Sequence, residues 1–175
     1  MEYIIFGSTN LAIYCADYLL KKQQQIKAII YFDEVLKNWS QKNHIPTFSN
    51  DQFNTQYPDI NKVDYIFSIV TPIFLSDEIL GLAKNYAINY HDSLLPKYAG
   101  LNATVWAIIN NEKMHGITWH VMNNIIDAGD IILQHSIPID RVETTATLNI
   151  KCFEAAKKTG ADVPVCLKSE PAMMR

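Results

Sequence analysis

Asn89 and His91 stand two residues apart in the run Ala87-Ile88-Asn89-Tyr90-His91, whose β-branched and aromatic content reads as a strand. Successive side chains on a strand point to opposite faces, so the two project from one face near the strand's carboxyl end. In open α/β sheets, ligands bind at that end. An amide donor beside a titratable imidazole suits acyl transfer, because the amide can stabilise a developing oxyanion while the imidazole moves a proton. Taken alone, the pair reads better as hydrogen-bonded structure at a strand end, so its context must decide. A carboxylate can complete such a pair by orienting the imidazole and stabilising its protonated form. The segment Ile126-Asp127-Ala128-Gly129-Asp130 offers two, Asp127 and Asp130, each also readable as an ordinary turn residue.

The elements that must position these groups follow an alternation of short apolar runs and helix-spaced segments, the pattern of a layered α/β domain with a mainly parallel sheet. Tyr3-Ile4-Ile5-Phe6 reads as the first strand, followed by Gly7-Ser8-Thr9-Asn10, a turn whose polar side chains can cap a helix carrying Leu11, Cys15, Tyr18 and Leu19. Ile26 to Tyr31 reads as a second strand, and residues 33–62, polar and holding Pro46 and Pro58, as short irregular elements. Tyr65 to Val70 is expected to be a buried central strand ended by Thr71-Pro72, with Ser76 capping a helix through Leu82. A loop at Ser93 to Gly100 is forced by its proline and glycine. Leu101, Val105, Ile108 and Ile109 share helical spacing, Gly116 to Met122 alternates as a strand, and Asp130 to Pro138 reads as the last strand. Thr144 to Lys158 is expected to be a helix with Leu148, Cys152 and Ala155 inward. One catalytic domain over residues 1–158 is therefore expected, with 159–175 a poorly ordered or truncated tail, since the final segment loses isoleucine and asparagine and gathers Pro164, Pro171, Met173 and Met174.

The chain has 175 residues, 49% of them hydrophobic and 19% charged, enough for one sizeable core. Fifteen Lys plus Arg against eighteen Asp plus Glu give a net charge of −3. That lacks the basic excess on which phosphate-backbone binders rely. Only Arg141 and Arg175 are arginines, which further disfavours nucleic acid. Cys15, Cys152 and Cys166 are odd in number and widely spaced, matching neither a disulfide framework nor a structural zinc site. No basic start with a long apolar stretch opens the sequence, and no apolar run reaches the roughly 18 residues of a membrane span, so a cytoplasmic protein without a membrane partner is expected. The turn at Gly7 is well short of a dinucleotide fingerprint. His91, His120 and Asp127 match no common metal-ligand spacing, and no metal is expected. His44, His115 and His135 read as surface or strand-end residues, and Trp39, Trp106 and Trp119 as core or half-buried packing.

Taken in order, Asn89-Tyr90-His91-Asp92-Ser93-Leu94-Leu95-Pro96-Lys97-Tyr98-Ala99-Gly100, Trp106-Ala107-Ile108, Gly116-Ile117-Thr118-Trp119-His120 and Ile126-Asp127-Ala128-Gly129-Asp130-Ile131 resemble the folate-dependent formyltransferase domain. The resemblance is dense from Ala87 to Gln134 and looser before it. It implies a Rossmann-like three-layer fold with a mainly parallel central sheet, 10-formyltetrahydrofolate as formyl donor, and a catalytic trio of Asn89, His91 and Asp127, preferring Asp127 over Asp130. It also implies that Ile73, Phe74 and Leu75, with Asn123, Asn124, Ile125 and Ile126, border the pterin.

On the acceptor, the absence of a further C-terminal domain and the scarcity of arginine count against tRNA, and the single-glycine turn counts against a glycinamide ribonucleotide. The strings Tyr98 to Ile108 and His115 to Met122 resemble formyltransferase-like domains of nonribosomal peptide synthetase assembly lines. That implies the amino group of an activated or carrier-bound amino acid as acceptor and neighbouring assembly-line domains as partners. A sugar-nucleotide N-formyltransferase is the alternative acceptor reading. A vestigial folate-binding module and a formyltetrahydrofolate hydrolase are the alternatives to transfer itself.

Overall fold

In a computed structural model of the chain, the described residues are 1–56, 61–160 and 163. Their elements make an α/β fold with a mostly parallel sheet flanked by helices. The chain forms two compact units, Met1–Asn89 and Tyr90–Arg175.

The first unit is built on β1 (Glu2–Gly7), which pairs in parallel with β2 (Gln25–Tyr31) on one side and β4 (Val63–Ile69) on the other. β3 (Thr47–Phe48) adds to β2, also in parallel. Ile4, Ile5 and Phe6 are fully buried, which is why this stretch reads as a continuous apolar run. Parallel strands need crossovers, and α1 (Thr9–Lys21) supplies the first, burying Leu11, Ala12, Cys15, Ala16 and Leu19 along one stripe. Gly7 is required by the close approach of that helix, since a Cβ there would lie 2.8 Å from Ala12 Cβ. The expected cap forms differently. Ser8 sits at the N-cap, but its hydroxyl donates to the Val70 carbonyl (2.5 Å), while the Thr9 amide donates to the Asp33 carboxylate.

Residues 33–62 hold more regular structure than their polarity suggested: α2 (Glu34–Lys42), β3 and α3 (Asn50–Gln56). Asp33 caps α2 by accepting the Leu36 amide (2.8 Å), a local signal that composition alone hides. The helix expected through Leu82 is only α4 (Asp77–Leu80), and Ser76 makes no side-chain cap bond there. β5 (Ala83–His91) starts earlier than expected and carries both Asn89 and His91.

In the second unit, β6 (Met114–Val121) and β7 (Ile131–Pro138) pair antiparallel, with a register shift between Trp119 and His120. The helix α6 (Thr145–Gly160) packs on both strands through Leu148, Cys152, Ala155, Ala156 and Thr159, and Thr159 Oγ1 accepts the Trp119 indole N–H (3.2 Å). α6 thus runs past Lys158, the expected domain boundary, to Gly160, and residues 164–175, which carry most of the expected tail, lie outside the described residues.

The helix that the spacing of Leu101, Val105, Ile108 and Ile109 predicted is α5 (Ala103–Ile109), but those are not the residues it buries. Ala103, Thr104 and Ala107 are buried, whereas Leu101 is 76% and Ile109 59% exposed. Small residues let α5 approach α6 closely, so size rather than hydropathy sets its orientation. Trp106 accordingly lies half exposed rather than in the core, while Trp119 is fully buried. His115, expected at the surface or at a strand end, is the second residue of β6 and is buried.

Candidate active site

β5 ends in His91, whose side chain is 7% exposed, and the loop Ser93 to Gly100 then turns back towards it. The His91 Nε2–H donates to the main-chain carbonyl of Tyr98 (2.9 Å), because a carbonyl can only accept. On the other side of the ring, Nδ1 lies 3.4 Å from Asp127 Oδ2. Both ring nitrogens therefore face oxygen acceptors. Asn89, half-buried, precedes His91 by two positions on the same strand and so shares its face, as the alternation required.

Asp127 reaches the ring from the turn between β6 and β7. It adopts φ 51, a left-handed conformation that aspartate tolerates better than most side chains. Two residues later, Gly129 passes so close to β6 that an added Cβ would fall 1.7 Å from the Val121 carbonyl oxygen. This approach accounts for the Asp-x-Gly spacing. The Gly100 amide donates to Asp127 Oδ2 (2.8 Å), and His120 Nε2 lies 3.4 Å from Oδ1. Burial is the largest influence on this carboxyl and pushes its pKa up. The bonds from His120 and the Gly100 N–H, with the nearby His91 and His120 rings, outweigh burial and hold it below the usual carboxylate range.

The rival carboxylate has another place. Asp130 is exposed, and its main-chain carbonyl accepts the Val121 amide (2.9 Å), closing the turn onto β6.

His120, which the sequence grouped with His91 and Asp127 only as a metal set without a matching spacing, stands beside Asp127 in this site. A strict strand alternation put it on a face with Thr118 and Met122. The register shift beside it skips Ile132 on β7, and β6 itself runs on unbroken through His120. Its Nδ1–H donates to the Val121 carbonyl (2.9 Å), leaving Nε2 towards Asp127. Among the described residues, no group of three or more His, Cys, Asp or Glu is arranged to hold a metal ion.

The residues expected to border a pterin are placed as follows. In the first unit, between β4 and α4, Phe74 is 68% exposed, Ile73 half-buried and Leu75 buried. In the second, between β6 and β7, Asn123, Asn124, Ile125 and Ile126 are all exposed, with Asn123 Oδ1 accepting the Ile125 amide (2.9 Å). Phe74, Ile125 and Ile126 are thus large apolar side chains left exposed, while Leu75 is buried.

An imidazole buttressed by a buried carboxylate, following an amide on one strand, is competent for proton movement at an acyl carbon. Comparison with known proteins agrees with that chemistry: the family described as Formyl transferase matches residues 19–163. The chain belongs to the formyl transferase family. It is 37% identical over 146 residues to the bifunctional polymyxin resistance protein ArnA of Wigglesworthia glossinidia brevipalpis, covering 81% of this chain and 22% of that protein. The chain thus spans about a fifth of that relative. Among solved structures it is similar to WlaRD, a sugar 3N-formyl transferase determined in the presence of dTDP and 5-N-formyl-THF. That likeness has a TM-score of 0.80 at 26% identity, over 96% of this chain and 63% of that one. The phosphoribosylglycinamide formyltransferase of Anaplasma phagocytophilum shares the fold, with a TM-score of 0.83 at 22% identity, over 96% and 88% of the two chains. No helix among the described residues is long and apolar enough to cross a membrane.

Proposed function

We propose that this formyl transferase moves a formyl group from 10-formyltetrahydrofolate to a primary amine, with Asn89, His91 and Asp127 as its catalytic residues. The observation that carries the proposal is the Asp127 carboxylate 3.4 Å from His91 Nδ1, with both side chains at most 10% exposed. When bound, the donor supplies an electrophilic formyl carbon and a folate nitrogen that departs. Asn89 donates its side-chain N–H to the formyl oxygen as negative charge builds there. With Nε2–H given to the Tyr98 carbonyl, His91 takes the proton of the attacking amine on Nδ1 as the new C–N bond forms, where the Asp127 carboxylate stabilises the resulting cation, and passes it towards the departing nitrogen. While protonated, His91 also stabilises the oxyanion. Ile73, Phe74, Leu75, Asn123, Asn124, Ile125 and Ile126 are the proposed donor contacts, with no metal in the reaction.

The acceptor we propose is the amine of a nucleotide-linked amino sugar, supported by the likeness to WlaRD. The strings Tyr98 to Ile108 and His115 to Met122 support a second reading, the amino group of an activated or carrier-bound amino acid, with assembly-line domains as partners. The test supplies 10-formyltetrahydrofolate with either a dTDP-linked 3-amino sugar or an aminoacyl carrier protein and follows tetrahydrofolate release. Release that depends on one amine identifies the acceptor class. Formate release without amine indicates a hydrolase, and binding without turnover a vestigial module.

A further inference from the structure

His91 Nε2 is held by the main-chain carbonyl of Tyr98, and that residue adopts φ 58, a left-handed conformation rarely occupied without a cause in the surrounding structure. The cause lies in its side chain. The Tyr98 hydroxyl donates to Glu112 Oε1 (2.7 Å) and accepts from Asn110 Nδ2 (2.9 Å), so the phenol is satisfied in both directions. Lys97 donates to the same Glu112 oxygen (2.6 Å) and lies over the Tyr98 ring, 5.3 Å from its centroid. The buried Ser93 hydroxyl pins the loop from beneath, donating to the carbonyls of Lys97 (2.6 Å) and, more weakly, Tyr98 (3.4 Å). Two residues on, Gly100, at φ 94, gives its amide to Asp127. One turn of backbone therefore presents the acceptor for His91 and a donor for its carboxylate partner, and the end of the turn remote from the imidazole is tied to the segment after α5.

We propose that Tyr98 and Glu112 are positioning residues, a side-chain clamp that holds the Tyr98 carbonyl against His91 Nε2 and so fixes the imidazole's orientation. The role rests on the reading of His91 as the catalytic imidazole, but the clamp itself is measurable without turnover. Glu112 is anchored as a carboxylate: the bonds from Lys97 and Tyr98 hold its pKa below the usual range. Neither residue needs to touch a substrate for its loss to matter, because a donor displaced by about 1 Å is enough to misalign a reacting group.

The test uses the full chain with 15N-labelled histidine, the His91 ring resonances being assigned by their loss in H91Q. In wild type the Nε2–H proton should be hydrogen-bonded and slow to exchange with water. In Y98F and in E112A it should shift upfield and exchange at least about tenfold faster, with the thermal midpoint within a few degrees of wild type. E112Q keeps an acceptor for the phenol and should restore slow exchange. In turnover with 10-formyltetrahydrofolate and a dTDP-linked 3-amino sugar, Y98F should lower kcat about tenfold and leave KM for the donor unchanged. Unchanged exchange at Nε2 in both Y98F and E112A overturns the clamp, whatever happens to activity. Changed exchange in a chain whose wild type transfers no formyl group leaves the clamp standing and refutes the proposed function instead.

Discussion

His120 Nε2 stands 3.4 Å from Asp127 Oδ1, on the opposite carboxylate oxygen from the one that faces His91. The carboxylate is therefore held between two imidazoles, with the Gly100 amide as a further donor. Replacing His120 by alanine leaves Oδ1 without that neighbour and lets the carboxylate rotate away from His91. The expected outcome is a fall in kcat of about tenfold, smaller than the loss from changing Asp127 itself, with donor affinity retained. Titration of donor binding alongside steady-state turnover separates the two quantities.

The task proposed for Asn89 is a different one, and its loss should be larger. Removing one oxyanion donor costs about a hundred- to a thousandfold in rate. Asn89→Ala should therefore lose transfer by that factor while keeping its fold, as judged by circular dichroism and thermal unfolding. Full activity in the variant would remove Asn89 from the oxyanion role.

The competition between the two carboxylates of the Asp-x-Gly-Asp turn is decided by where each side chain goes. Asp127 points its carboxylate at two imidazoles, and Asp130 contributes a main-chain carbonyl to Val121 while remaining exposed. Asp127→Asn should lower kcat by at least about a hundredfold, whereas Asp130→Asn, whose backbone bond survives, should stay within about threefold of wild type. Steady-state rates of the two variants at saturating donor check the assignment.

Much of this site could be read before any coordinates, and the reasons lie in particular residues. Asn89 and His91 were legible because strand alternation is a rigid rule, and the loop at Ser93 because proline and glycine break helices. His120 was hidden because its place in the site rests on a contact with Asp127 across the turn from β6 to β7, and strand alternation says nothing of which turn a side chain meets. The helix α5 was legible from the spacing of Leu101, Val105, Ile108 and Ile109, but its buried face was not, because it is made of Ala103, Thr104 and Ala107. Short elements such as α2 depend on single capping bonds like that of Asp33, which composition over thirty residues averages away.

Thr118 is the buried hub that carries the loop on which this geometry depends. Its hydroxyl donates to the Ser93 carbonyl (2.6 Å) and accepts from the Leu95 amide (3.1 Å) and Gln134 Nε2 (2.9 Å). Valine has the same shape but none of these bonds. Thr118→Val should destabilise the chain by about 3 kcal/mol, since a buried group left unpaired costs about 1–3 kcal/mol and the Ser93 carbonyl and Leu95 amide are both affected. Urea unfolding measures the difference, and a change below about 0.5 kcal/mol would show that the loop does not depend on the hydroxyl.

Acid should weaken the fold in two separate steps, because two buried groups bind protons less readily when folded. His115 is buried on β6, and burial pushes its pKa below 6.5. The neighbouring His91 pushes it further down, while a bond to the Asp92 main chain and the charges of Asp92 and Glu112 only partly offset the shift. Below about pH 6.5 the unfolded chain therefore gains a proton at this position before the folded chain does, and stability falls as pH falls until the folded ring is also protonated. Asp127 shows the same sign in a lower window. Its carboxyl is held below the usual range when folded, so the unfolded chain takes up that proton first, below about pH 4, and stability falls again until the native carboxyl is protonated. Unfolding by urea from pH 8 to pH 3 should show both declines. His115→Gln, which retains a donor for the Asp92 main chain, should flatten the decline beginning near pH 6.5 and leave the lower one. Asp127→Asn should leave the upper decline and reduce the lower one, to which Glu112, also held below the usual range, contributes as well, and a His115→Gln curve parallel to wild type between pH 6.5 and 5 would rule out the buried imidazole as the source of the upper step.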